Sequence, residues 1–139
     1  MEIKLYKQLP QEAVVIRTKV FVEEQGFEEE YDERDNTACH LVAFENEQPI
    51  ATCRFFWDNE RNTYILGRLA VLPQYRGGHV GAALMKEAQA QVDALSGSAI
   101  YLHAQCTASA FYEKQGYQKT GAVESEQGCP HIWMYKKWK

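Results

Sequence analysis

Leu69-Ala70-Val71-Leu72-Pro73-Gln74-Tyr75-Arg76-Gly77-Gly78-His79-Val80-Gly81-Ala82-Ala83-Leu84-Met85 is the stretch in which the chain changes period. Up to Leu72 it reads as the end of a strand. From Gly77 onward Val80, Ala83, Leu84, Glu87/Ala88, Val92 and Leu95 mark one face of a helix that stops near Ser96-Gly97. A strand, a glycine turn and a helix in that order aim unpaired backbone N–H groups and the positive helix end at one point, where an anion belongs. Gly77 and Gly78 carry no Cβ to hold a phosphate away, and Arg76 supplies a charge-assisted donor. A tight turn that needs glycine only for its backbone accounts for the same residues, so both readings stand at this level.

Working outward, residues 2–6 predict a strand and 10–25 a helix with Ala13, Ile16, Val20 and Phe21 on its apolar face. The acidic stretch from Glu23 to Asp35 reads as irregular, and Glu28 to Asp35 as a solvated loop, with an entrance for a cationic amine as the alternative. Runs at 39–45, 49–57 and 63–72 predict an antiparallel meander. Helix 78–95 and a strand at 99–104 follow; strand 63–72, that helix and strand 99–104 make a βαβ unit with parallel strands. Thr107 is expected to cap a short helix running to Gln115, with Gly116 as its left-handed stop. Final strands fall at 117–120 and 131–136. The expected fold is a single α/β domain over 1–139: a mixed, mostly antiparallel twisted sheet of six or seven strands flanked by three or four helices.

Composition narrows the classes of function. The 139 residues carry a net charge of -4, which gives no overall field for a nucleic-acid backbone. No run reaches membrane-spanning length, and Met1–Tyr6 lacks the apolar core of a secretory signal. Cys39, Cys53, Cys106 and Cys129 form no C-x-x-C pair, so reduced thiols in the cytoplasm are the expectation. Neither G-x-x-x-x-G-K-[ST] nor G-x-G-x-x-G occurs, and strand 99–104 ends in His103-Ala104-Gln105 without an acidic residue for a ribose. Nucleotide triphosphates and nicotinamide dinucleotides are thereby disfavoured.

The loop resembles the GNAT superfamily of N-acetyltransferases, whose cofactor motif is [QR]-x-x-G-x-[GA]; His79 stands where glycine or alanine is usual. Ala108-Ser109-Ala110-Phe111-Tyr112-Glu113-Lys114-Gln115-Gly116-Tyr117 is similar to the family's A-x-x-F-Y-E-K-x-G-[FY] segment, and Gln105 occupies a position where the family often has asparagine. The small bacterial ElaA-like branch is resembled further through Arg17–Gln25, Asp32, Asp35, His40 and Gly128–Met134.

The resemblance implies acetyl-CoA as co-substrate, no metal, and transfer to a primary amine, small molecule or peptide, by direct attack in a ternary complex. It implies backbone contacts from Leu69, Ala70 and Val71 to the pantetheine and thioester, and pyrophosphate binding by Gln74, Arg76, Gly77, Gly78, His79, Val80, Gly81 and Ala82. Gln105 and Tyr112 would also touch the cofactor, Tyr112 as general acid, because a phenol of reference pKa about 10 matches a departing thiolate. Glu24, His40, His103 and His131 are candidate bases by residue type. Arg54 and Arg68, on strand-like runs, require a carboxylate partner or a ligand anion, with pairing to Glu24 or Asp32 the expected arrangement. A homodimer through exposed strand edges is a fold-level analogy. Two rivals stay open: a non-catalytic acyl-CoA-binding or partner-binding domain, and a cysteine- or metal-dependent hydrolase using His103-x-x-Cys106 and Cys129-x-His131.

Overall fold

The runs rich in β-branched and aromatic residues do form strands. The computed structural model describes residues 1–28 and 31–139. Among them are β1 (Glu2–Tyr6), β2 (Cys39–Glu45), β3 (Gln48–Asp58), β4 (Thr63–Val71), β5 (Ala99–Gln105), β6 (Gln118–Glu126) and β7 (Cys129–Lys137). They form a seven-stranded sheet in the order β1-β2-β3-β4-β5-β7-β6. β1–β2, β2–β3, β5–β7 and β6–β7 are antiparallel pairs. Two-residue turns close two hairpins: Asn46-Glu47, at φ 50° and 68°, and Gln127-Gly128, at φ 50° and 76°. Left-handed residues in such turns match the twist of the strands they join.

The C-terminal strands are longer than expected, 118–126 and 129–137 against 117–120 and 131–136. Every residue of β6 is exposed, so no apolar alternation marks it. Its register against β7 shifts between Thr120 and Glu124, around Gly121 at φ 80°.

The expected helix 10–25 is an α-helix only over Gln11–Arg17, labelled α1; Thr18–Glu24 winds as a π-helix. Val20 and Phe21 are both buried there. Helix α2 (Val80–Ala94) buries Leu84, Met85, Ala88 and Val92. Leu95, expected on that face, is 55% exposed, because the chain leaves the helix there: Ser96 turns left-handed at φ 68° and Gly97 N–H bonds to Val92 O at 2.9 Å. Glycine is needed at 97 because a Cβ would run into the side chains of Val92 and Tyr64.

Thr107 is not a cap. A 3-10 turn begins one residue earlier, over Cys106–Ala108, held by Ser109 Oγ donating to Cys106 O at 2.9 Å, and helix α3 covers Ser109–Lys114. Gly116 at φ 94° ends α3 as expected, with Tyr117 N–H bonded to Tyr112 O.

The chain divides into two compact units, Met1–Phe56 with Leu66–Ala88, and Trp57–Ile65 with Gln89–Lys139. In the first, Ala13, Ile16, Val20, Phe21, Val42, Phe44, Ala70 and Leu72 make one apolar cluster, flanked by Tyr6, Leu9, Phe27 and Tyr75. Beside it lies a buried charge cluster. Arg17 grips Asp35 with two bonds of 2.8 Å, and Arg17 and Asp35 are each 1% exposed. Arg54 donates to Asp35 at 3.0 Å and to both oxygens of Asp32, and Arg68 reaches Asp32 at 3.2 Å. Asp32 also starts a 3-10 turn over Glu33–Asn36 through a reciprocal capping box with Asp35.

The segment read as a solvated loop therefore carries a buried ion pair at Asp35 and partly buried ones at Asp32, because Arg17, Arg54 and Arg68 need compensating charge. Glu29 and Glu30, which the same reading covered, lie outside the described residues. The expectation that Arg54 and Arg68 pair with Asp32 holds, and the alternative partner Glu24 is engaged elsewhere.

Burial by itself would raise the Asp35 carboxyl, but the hydrogen bonds and charge of Arg17, together with the charge of Arg54, hold it well below the usual carboxylate range. A depressed folded-state value means stability present above the unfolded value and lost as pH falls through the folded one. Asp35→Ala is expected to cost about 3–5 kcal/mol in urea unfolding, since it leaves buried cations unpaired. The wild-type contribution should be undiminished at pH 6 and decline only below about pH 4. A loss under about 1 kcal/mol, or one that starts near neutrality, would contradict this account.

Candidate active site

In the first unit the interesting geometry begins inside β4. Arg68 has φ 51°, a left-handed residue within a strand, so the backbone is re-aimed immediately before Leu69, Ala70 and Val71. No sequence signal announces this, because arginine is not a residue that favours such a φ. Ala70 turns into the apolar cluster while Leu69 and Val71 stay half-exposed. Leu72 N–H then bonds to Ile50 O at 2.9 Å, and Pro73–Tyr75 make a 3-10 turn with Tyr75 packed on the cluster.

From there the loop opens. Gln74, Arg76, Gly77, Gly78 and His79 are exposed. Gly77 sits at φ 83° and His79 at φ 65°. The left-handed backbone at 79 explains why glycine suits that position, and histidine is among the residues that tolerate it. Ala83 N–H to His79 O, 3.0 Å, is the first bond of α2, so the amides of Val80, Gly81 and Ala82 have no acceptor within the helix. A Cβ built on Gly77 would meet nothing within 4 Å, and one on Gly78 only Tyr75 O at 3.7 Å. The residues thus fit an anionic group: free amides, a helix N-terminus and open space above two glycines.

Arg76, expected as a donor to that anion, is committed elsewhere. Its Nη atoms each bond to a Glu24 oxygen at 2.7 Å, and Nε bonds to Val71 O at 2.9 Å. The Arg76 hydrogen bond holds the Glu24 carboxyl below its ordinary value despite some desolvation, which makes Glu24 a weak base. His40 belongs to the charge cluster: it is buried, its Nε2 lies 3.1 Å from Asp35 O, and burial lowers its pKa.

The second unit assembles another group. The β5–β7 register sets Gln105 opposite His131 and His103 opposite Trp133, and β6 brings Glu124 opposite His131. His103 Nδ1 lies 3.1 Å from Glu126 Oε2 and its Nε2 3.3 Å from Glu124 Oε1. His131 Nε2 is 3.4 Å from Glu126 Oε2, and its Nδ1 is 2.8 Å from Cys129 O. The two imidazole rings are 5.0 Å apart, and Trp133 stacks on His103 at 4.8 Å. Sequence reasoning missed Glu124 and Glu126 because it ended β6 at 120; the Gln127-Gly128 turn was the available signal. Tyr112 is half-buried on α3, edge-on to Phe111 and Tyr117. The imidazoles thus face carboxylates and a carbonyl, and burial pushes the Cys53 thiol up to about 12.

A model of the acetyltransferase (GNAT) domain matches residues 7–138. The chain belongs to the GNAT acetyltransferase family. It is 34% identical over 128 residues to the uncharacterized N-acetyltransferase YjcF of Bacillus subtilis, covering 90% of each chain. It is 30% identical to protein ElaA of Escherichia coli K12, covering 88% of this chain and 83% of that one. Among solved structures, ElaA of Escherichia coli superposes with a TM-score of 0.87 at 26% identity, covering 98% and 99%. An N-acetyltransferase from Lactobacillus plantarum gives 0.87 at 26%, covering both chains fully. As a GNAT enzyme the protein is an N-acetyltransferase, and the mostly antiparallel seven-stranded sheet is the fold it shares with these structures.

The Glu24–Arg76 fork is well formed but exposed, so solvent screens it. Glu24→Ala should change the unfolding free energy by less than about 1 kcal/mol, measured by chemical denaturation. A larger loss would show that the fork is a structural element in its own right.

Proposed function

We propose that this GNAT enzyme binds acetyl-CoA with its pyrophosphate against the amides of Gly77–Ala82 and transfers the acetyl group to a primary amine, which attacks directly in a ternary complex. The observation that carries this reading is the exposed, left-handed turn at Gly77 and His79, which leaves the first amides of α2 without acceptors in a family-matched chain. A structural relative of 18% identity and TM-score 0.76 is an aminoglycoside 6'-N-acetyltransferase complexed with coenzyme A, which favours the same class of ligand here.

In this proposal Gln74, Gly77, Gly78, His79, Val80, Gly81 and Ala82 hold the pyrophosphate. Arg76 braces the loop through Glu24, and Glu24 is left out of the chemistry. Leu69, Ala70 and Val71, beyond the kink at Arg68, offer backbone groups to the pantetheine and the thioester carbonyl, where N–H donors stabilise developing negative charge. Gln105 binds the pantetheine arm, and Tyr112 protonates the departing thiolate. His103 and His131 serve the amine, which must be neutral to attack. Acetyl-CoA supplies the activated acetyl group, and holding both substrates together supplies much of the acceleration. Residues 1–139 act as one acetyltransferase domain, and the acceptor is a small molecule or a peptide amine.

The test is calorimetric binding of acetyl-CoA, followed by thiol release with 1,4-diaminobutane, 2-phenylethylamine and a lysine peptide. Gly77→Val puts a β-branched residue at φ 83°, and is expected to weaken acetyl-CoA at least ~10-fold through about 1–2 kcal/mol of backbone strain and a displaced loop. Unaltered affinity would move the pyrophosphate elsewhere. Tyr112→Phe should keep the fold and the acetyl-CoA affinity while lowering kcat at least ~10-fold; full turnover would dismiss the acid role. Binding without thiol release would favour the non-catalytic rival, and loss of activity to iodoacetamide the thiol-dependent one.

A further inference from the structure

We infer that Glu126 is a positioning residue: it orients His103 so that Nε2 is the atom that takes up the proton lost by the acceptor ammonium, with Glu124 as the exposed group through which that proton passes. The inference rests on the acetyl-transfer reading above and deepens its treatment of the base.

The hydrogen positions follow from what each neighbour can do. A carbonyl only accepts, so the 2.8 Å contact to Cys129 O puts the hydrogen of His131 on Nδ1. Its Nε2 then faces Glu126 Oε2 at 3.4 Å. A carboxylate also only accepts, so Glu126 Oε2, 3.1 Å from His103 Nδ1, fixes the hydrogen of His103 on Nδ1. The second nitrogen of His103 is left as a lone pair. That Nε2 is shielded from solvent and makes no hydrogen bond, yet Glu124 Oε1 lies 3.3 Å away. A lone pair and a carboxylate oxygen facing each other at that distance lack the proton that would join them.

The arrangement is therefore built to gain a proton. One N–H bond of the ammonium breaks and its electron pair stays on the amine nitrogen. The proton moves onto a Glu124 oxygen and from there to Nε2, giving an imidazolium that donates to Glu124 from Nε2 and to Glu126 from Nδ1. Glu124, whose side chain is 60% exposed, returns the proton to water. Among the described residues, His131 stands 5.0 Å from the His103 ring, and Arg61 lies beyond the Trp133 ring that stacks on it. Arg61 lies 4.0 Å over that ring and 3.7 Å from the Asp58 carboxylate. Two carboxylates flank the His103 ring.

The experiment uses the full chain labelled with 15N and long-range 1H–15N spectra of the histidine rings at pH values where they are neutral. In wild type His103 is expected to carry its hydrogen on Nδ1. In Glu126→Gln, whose amide can donate as well as accept, His103 should become a mixture of tautomers while the backbone spectrum stays dispersed. With whichever of the three amines turns over fastest, Glu126→Gln should lower kcat at least ~10-fold and leave the acetyl-CoA KM within about twofold. Glu124→Gln should keep the Nδ1–H tautomer and lower kcat as well. A bare Nδ1 in wild type, or a tautomer indifferent to Glu126→Gln, overturns the inference whether or not any amine is acetylated. Failure of acetyl-CoA to bind overturns the parent reading instead.

Discussion

The first unit is organised around two aspartates that three arginines cannot do without. Arg17 comes from α1, Arg54 from β3 and Arg68 from β4, and all converge on the short turn that holds Asp32 and Asp35. Burying a guanidinium is costly unless its partner is well placed, so these contacts specify one arrangement of four elements more than they add stability. The capping box between Asp32 and Asp35 holds both carboxylates within the turn that the arginines meet. Arg54 Nε is buried and without a hydrogen bond, a residual cost that the forked contacts of its other two nitrogens offset.

That constraint is felt at the loop through β4. Arg68 is both a member of the charge cluster and the left-handed residue that re-aims the strand before Leu69. Its side chain anchors a backbone conformation that an isolated strand would not keep, at an expense of order 1–3 kcal/mol for such a residue. Ala70, Leu72 and Tyr75 then pin the following segment to the α1 and π-helical side chains. Gln74 and then Arg76 to His79 are released into solvent. The amides at the start of α2 are thus presented by a well-packed base, a rigid element carrying a group that must meet a ligand.

What the sequence made legible follows from which interactions leave a periodic trace. The βα transition at 69–85, the hairpin at 39–58 and the Gly116 stop all depend on local chemistry, and each could be located from residue type alone. The π-helical winding at Thr18–Glu24, the left-handed Arg68 and the partners of Asp35 depend on contacts between residues far apart in the chain, which composition does not encode. The sequence points to Asp32 as a partner for an arginine, but an acidic run does not reveal that Asp35 is the more deeply buried of the two. Arg76 shows the same limit, since its charge was evident but its fork to Glu24, fifty-two residues away, was not.

The edge of the sheet is the hardest part to read and the part where two demands coincide. β6 closes the strand order, and all of its residues are exposed, so it offers unpaired backbone groups to any other strand. Charged side chains and a bulge are the usual devices against that pairing, and Lys119, Glu124, Glu126 and the shift around Gly121 supply them. The register shift is also what brings Glu124 opposite His131, so the device that blunts the edge delivers the carboxylates to the imidazoles. Glutamates at these positions satisfy a solubility requirement and an electrostatic one together. Composition alone would have assigned them only to the first, which is why a strand without apolar alternation can carry the most informative polar contacts of its unit.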